Sequence, residues 1–263
     1  MRNIIVCVKV VPKAENVIFD PATKRLDRSK AENQINDADK TAIEIALRLR
    51  EKNGGKVILL SMGPPLFENY LKLGVAMGAD DAILLSDRNF GGADTYPTAL
   101  VLSTAITKIG DYDLILAGEE SSDAALGQLP GQIAEFLDIP QVLFASSVKL
   151  EGGKLRVRRR IKGGHETVET SGPVMVSVEM GAVQPRFPNF EKMKWAISGF
   201  HLKIWNSTEL NLREDVTGLK GSLTLVKGLI EITPSKRKRV FIDGNVEEKS
   251  SRLVELLKER SLE

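Results

Sequence analysis

Through the first half of the chain, short apolar runs alternate with longer amphipathic stretches. Asn3 to Val11 is rich in β-branched residues and ends at Pro12, while Lys56 to Ser61, Asp81 to Leu85 and Asp113 to Ala117 are equally short and almost continuously apolar. Runs of this length are too short for helices, and unbroken hydrophobicity marks strands covered on both faces. Between them, Ala42, Ile45, Ala46 and Leu49 share one helical face, as do Leu66, Tyr70, Leu73 and Met77, and then Leu102, Ala105, Ile106 and Ile109. Pro64-Pro65 and Pro97 stand near helix starts, and Gly54, Gly78 and Gly110 stand where helices should stop. The pattern predicts an α/β fold with an open, mostly parallel, doubly wound sheet over residues 1 to about 145. Ligands of such sheets bind beyond the carboxyl ends of the strands.

After Pro140 the period changes. Val142 to Leu150, Lys154 to Ile161 and Glu166 to Thr170, separated by Gly152-Gly153 and Gly163-Gly164, predict an antiparallel hairpin addition, and Val174 to Val178 is apolar enough to return to the main sheet. From Gly181 to Asn206 the periodicity is lost. Gln184 to Trp195 mixes two prolines with two phenylalanines and a tryptophan, which predicts an arm or loop rather than a helix or central strand. Leu210 to Ile232 is irregular, and an extended C-terminal arm ends in a helix from Val246 to about Glu259.

With 263 residues, 42% of them hydrophobic and 27% charged, the chain has the composition of a soluble globular protein. A net charge of +2 supplies no overall field toward nucleic acid or an anionic membrane. The basic run Arg156 to Arg160 lies on a predicted hairpin strand without interleaved aromatics, so it reads as a solvated edge or a salt-bridged interface, as does Lys236 to Arg239. Cys7 is the single cysteine, which excludes an internal disulfide framework and a thiolate metal cluster, and its apolar neighbours predict burial. The N-terminus resembles neither a signal peptide nor a membrane span, so the expected location is cytoplasmic.

Several chemistries are missing. The chain has no Walker A pattern, no Gly-x-Gly-x-x-Gly after the first strand, and no second histidine or cysteine at metal-binding spacing from His165 or His201. Nothing in it outlines a hydrolase triad or an owner for general acid and base work.

Three polar segments lie at the ligand-binding rim instead. Gly118 to Gln132 follows an apolar strand and leads into a helix, the order of a phosphate cradle: small residues allow close approach, and the helix N-terminus favours an anion. Gly91 to Thr98 offers glycines, the hydroxyls of Thr95 and Thr98, and an Asp94 carboxylate able to accept from ribose or an exocyclic amine. Asn36-Asp37-Ala38-Asp39 opens the first helix, although capping alone accounts for Asn36 and Asp37. On these residues alone, a non-redox adenine-nucleotide-binding module stays open.

The segments also match a family. Cys7-Val8-Lys9-Val10-Val11-Pro12, Asn36 to Asp39 with Ala42 and Glu44, Met62-Gly63-Pro64, Ala76-Met77-Gly78-Ala79-Asp80, the Gly118 loop ending at Gln128, and Pro140-Gln141 occur in the order seen in the beta subunit of electron transfer flavoproteins. The resemblance spans nearly the whole chain. It implies an adenine-nucleotide-binding domain over residues 1–181 with its hairpin near 142–171, a partner-recognition arm over 182–206, and a 207–263 extension packing on an alpha subunit.

The resemblance implies a nucleotide held by Cys7, Val8, Lys9, Asn36, Asp37, Ala38, Asp39, Met62 and Gly63, by Asp94, Thr95 and Thr98, and by Gly118, Glu119, Ser121, Ser122, Asp123, Gly127, Gln128, Leu129, Gly131 and Gln132. In simple members this is a structural AMP; in electron-bifurcating members it is an FAD that takes hydride from NADH. The Gly92-Ala93-Asp94-Thr95 pattern with Thr98 is similar to the bifurcating branch, which favours FAD with NADH as donor. The family usually has proline and an aromatic at Asp37 and Ala38, and further polar residues at Ala124 and Ala125. Phe187, with Phe190 nearby, matches the apolar position that recognises acyl-CoA or other dehydrogenases; the alternative is that both rings pack beneath the arm. A quinone oxidoreductase would be the acceptor and the indirect link to a membrane. No residue is assigned a catalytic role, since the flavin carries the redox chemistry.

Overall fold

The computed structural model describes residues 3–13, 18–20, 25–27, 32–225 and 241–260. The chain opens with β1 (Asn3–Cys7), followed by two small antiparallel ribbons, β2 (Val10–Pro12) with β5 (Asn33–Ile35) and β3 (Ile18–Asp20) with β4 (Arg25–Asp27). Then come α1 (Asp37–Asn53), β6 (Lys56–Met62), α2 (Glu68–Met77), β7 (Asp81–Leu85), α3 (Thr95–Ile109), β8 (Leu114–Gly118) and α4 (Leu129–Leu137). β9 (Gln141–Glu151), β10 (Lys154–Ile161) and β11 (Gly164–Thr170) form the meander, and β12 (Val174–Val178), α5 (Phe190–Ser198), β13 (Lys203–Trp205) and α6 (Gly218–Gly221) complete this part.

Nine strands make one sheet in the order β11-β10-β9-β12-β8-β1-β6-β7-β13. From β9 to β13 every neighbouring pair is parallel, with Val6 of β1 level with Leu59 of β6 and Leu116 of β8. Because parallel strands are buried on both faces, the alternate residues Ile4 and Val6 join one apolar cluster under α1, α2 and α5, while Ile5 and Cys7 join the other under α3 and α4. The parallel sheet, the antiparallel meander and the return of β12 to the centre match the pattern in the sequence.

Four expectations need correction. The first strand leaves the ladder after Cys7: Lys9 turns its N–H to Asp39 and its carbonyl to the N–H of Asn36, so the start of α1 takes the bonds a continuing strand would have used. Phe190 to Ser198 is helical, not loop. Both prolines precede it, Asn189 caps it by accepting from the N–H groups of Glu191 and Lys192, and Ala196 is buried on the core. Further on, Lys203 to Trp205 extends the sheet beside β7. β11 begins at Gly164, two residues ahead of the predicted Glu166, and so takes in His165 opposite Arg160.

The chain divides into two compact units, residues 1–227 and 228–263. In the second, α7 (Val246–Arg260) opens with a reciprocal box, Asn245 accepting from Glu248 N while Glu248 accepts from Asn245 N. The basic run Lys236 to Arg239 and the end of the Leu210 to Ile232 segment lie outside the described residues.

Candidate functional site

Strands β1, β6, β7 and β8 run parallel and end at one rim. There, the residues after β1, the first turn of α1 and the loop after β8 are stitched together by two side chains. Asp39 Oδ2 accepts the N–H of Lys9 at 2.7 Å and Oδ1 accepts the N–H of Gly118 at 2.9 Å. Asn36 donates through Nδ2 to the carbonyl of Glu120 at 2.9 Å and accepts the N–H of Ser122 at 3.2 Å. Asn36 stands at the cap position of α1 but makes no side-chain cap bond, so capping is not what its side chain does here. Lys9 Nζ spans the same gap, donating to Ser121 Oγ at 3.1 Å and Asp123 Oδ1 at 2.6 Å.

This stitching requires glycine at position 118. A Cβ there would lie 2.5 Å from Asp39 Oδ1 and 2.6 Å from the Cβ of Ala38, closer than real side chains come. Ala38 is buried beneath that approach, and Asp37 faces outward in a pair with Lys40.

Asp39 is 5% exposed, and burial pushes its carboxyl up to about 6 despite the opposing hydrogen bonds from Lys9, Gly118 and Asn36. Burial, with the nearby Asp39 charge, pushes the Cys7 thiol up to about 12, so it is a packed apolar group and not a nucleophile.

The loop from Glu119 to Gln128 is compact. Ser121 O accepts from the N–H groups of Ala124 and Ala125, and Gly127 has φ +63°, with a would-be Cβ 3.3 Å from the carbonyl of Glu119. Glu119 anchors the near end through the N–H of Met180 and the guanidinium of Arg160, which also pairs with Glu179. At the far end Leu129 begins α4, Gln128 makes no side-chain cap bond, and Gly131 packs against the side-chain end of Gln141. One turn in, Gln132 Oε1 is a buried acceptor without a hydrogen-bond partner.

The remaining predicted residues lie on the same rim. Met62 ends β6, and Gly63 donates its N–H to Leu85 O at 3.0 Å. Asp94 behaves otherwise than expected: it caps α3 by accepting the N–H of Tyr96, and its second oxygen accepts the N–H and hydroxyl of Thr224 at 2.8 and 2.9 Å. Each oxygen thus has a partner within this chain. Burial is outweighed by those bonds, which hold the carboxyl below its usual range. Thr95 starts α3, and Thr98 donates back to the carbonyl of Asp94.

Three of the four arginines in the basic run pair within the chain: Arg156 with Glu151 and Glu169, Arg159 with Glu166, and Arg160 with Glu119 and Glu179. Phe187 and Phe190 are 89% and 83% exposed, which overturns the alternative that they pack beneath the arm. Glu44, already among the motif residues, pairs across to Arg186 of the arm, a partnership that carries no local signal and that the sequence reading missed. Among the described residues no group of three His, Cys, Asp or Glu is arranged to hold a metal, and no helix is long and apolar enough to cross a membrane.

The family model of the electron transfer flavoprotein domain matches residues 23–198. The chain is 42% identical to the electron transfer flavoprotein subunit beta of Thermoanaerobacterium thermosaccharolyticum, with 98% of each chain covered. It is 38% identical to the subunit of the same name from Clostridium acetobutylicum, again over 98% of each. It is also 35% identical to the caffeyl-CoA reductase-Etf complex subunit CarD of Acetobacterium woodii, over 99% of each.

Proposed function

The chain belongs to the electron transfer flavoprotein family as a beta subunit, and from that membership we propose that it binds FAD at the rim and, joined to an alpha subunit, carries electrons by flavin-based bifurcation. The donor is NADH or a dehydrogenase, of the acyl-CoA or another class, and the acceptor is a quinone oxidoreductase or a comparable enzyme. Its work is assigned to the cytoplasm, with any membrane reached only through that acceptor.

The observation that carries the reading is the Asp39-stitched rim, in which backbone and small side chains of three loops meet at the ends of parallel strands. Its donor set fits a dinucleotide. Lys9 offers an ammonium, α4 presents an N-terminus without a side-chain cap, and Gln132 Oε1 is an acceptor suited to an exocyclic amine. Asp39 and Asp123 are already partnered, which blunts their repulsion of phosphate. FAD, when bound, supplies the reversible electron chemistry. This chain's residues hold the tail: Gly118 lets the end of β8 close onto α1 and Gly127 lets the loop turn, Lys9 and the loop amides balance the phosphates, and Cys7 stays inert beneath. AMP in the same place is the simpler alternative.

The test is to release and count the nucleotides of the purified heterodimer. Two FADs per heterodimer are expected. One FAD with one AMP refutes bifurcation but keeps electron transfer, and a colourless complex filled by another ligand refutes the whole reading.

A further inference from the structure

The arm ahead of α5 is fastened at regular points. Gly181 N donates to Thr41 Oγ1 at 3.3 Å, and Asn189 N donates to Ala76 O at 3.1 Å. Between these, Arg186 makes the densest set of bonds on the arm: its backbone N–H reaches Glu44 Oε2 at 3.1 Å, Nε reaches the same oxygen at 2.7 Å, and the terminal nitrogens reach Glu44 Oε1 and both oxygens of Glu51. The Glu44 side chain is 3% exposed and is also held by Arg48. An ion pair with one buried partner and a forked, multiply bonded guanidinium is the kind that fixes geometry, unlike a single exposed pair.

The consequence falls on the next residue. Phe187 and Pro188 form a two-residue crest whose feet, the N–H groups of Arg186 and Asn189, are tied to α1 and α2. Pro185 and Pro188 restrict the backbone on either side. With both feet tied, the crest is held off the core, and the ring stands almost wholly in solvent.

We infer that Arg186 is a positioning residue, clamped to Glu44 and Glu51, that holds Phe187 outward for insertion into an apolar pocket on the electron-donating dehydrogenase. The inference rests on the electron-transfer function proposed above and on the docking position that the family resemblance implies for Phe187. The clamp removes ordering cost before docking, so its loss weakens association without touching the flavin.

The experiment is a double-mutant cycle on the complete heterodimer: Arg186→Gln, Phe187→Ala and the two together, with Arg186→Lys as the conservative variant. The probe is an acyl-CoA dehydrogenase that reduces the heterodimer, read as KM and kcat, alongside flavin content and hydrogen exchange at the amides of Arg186 and Asn189. Arg186→Gln should raise KM about tenfold, with kcat and flavin content unchanged and both amides exchanging faster, and Arg186→Lys should recover part of the loss. In the Phe187→Ala background the same change should move KM less than twofold, because Arg186 acts through that ring. Fully additive effects, or unchanged exchange at both amides, overturn the inference. Faster exchange with no KM response to Phe187→Ala overturns the docking role instead.

Discussion

The Asp39→Asn variant tests the centre of the site. In the native chain each carboxylate oxygen serves one buried backbone N–H, at 2.7 Å from Lys9 and 2.9 Å from Gly118. An amide has one oxygen, so one N–H must face an NH₂ group, at a cost of about 1.5–3 kcal/mol for a lost charged-acceptor bond. Burial works the other way. It moves the carboxyl from 3.8 to about 6, which at about 1.4 kcal/mol per pKa unit is a penalty on the order of 3 kcal/mol for folding with the charge in place. A raised carboxyl pKa means that the stability is fully present below the unfolded value and is lost as pH rises through the folded one. Asp39 thus contributes a fall in stability from about pH 4 to pH 7, and the asparagine side chain, which does not titrate, would contribute none. Urea unfolding of the full chain in half-unit pH steps should give profiles for the two proteins whose separation changes by about 3 kcal/mol across that window. Parallel profiles would refute the buried, ionised stitch.

Three further outcomes follow from the same rim. Gly118→Ala should lower nucleotide affinity at least tenfold by calorimetry and cost about 1–3 kcal/mol on unfolding, because its Cβ lands 2.5 Å from Asp39 Oδ1; unchanged affinity would detach this glycine from the site. Lys9→Met should change stability by less than about 1 kcal/mol, since the Lys9 side chain is 44% exposed, yet weaken diphosphate binding severalfold at low salt; equal affinities remove Lys9 from the ligand. Cys7, with its thiol pushed up to about 12, should resist Ellman's reagent in the folded chain at pH 8 and react on denaturation; rapid native labelling would contradict its burial.

The parallel sheet was legible because its strands are short apolar runs with helical periods between them, a pattern that local composition sets directly. The rim loops were legible because close backbone approach demands glycine, and Gly118 sits where Ala38 and Asp39 leave no room for more. α5 was hidden because only Ala196 is fully buried on it and Met193 half-buried, while Phe190, Trp195 and Ile197 are exposed and blur the helical stripe. β13 is three residues long, and its Ile204 is exposed, so no alternation could announce it. Asn36 is a good cap by residue type, and only the folded chain shows its side chain bridging to Glu120 and Ser122 instead. Asp94 with Thr224 and Glu44 with Arg186 join residues 130 and 142 positions apart, a separation at which neither partner marks the other.

The nine-stranded sheet ends in β11 on one side and β13 on the other. β13 offers only three residues and carries Lys203, while β11 alternates His165, Thr167 and Glu169 with Glu166, Val168 and Thr170. Neither border gives a like chain a long greasy template for cross-strand annealing, since brevity and charge are what block it. A subunit made ahead of its mate can thereby wait in crowded surroundings without seeding fibrils, and recombinant production should tolerate an unequal dose of the two genes.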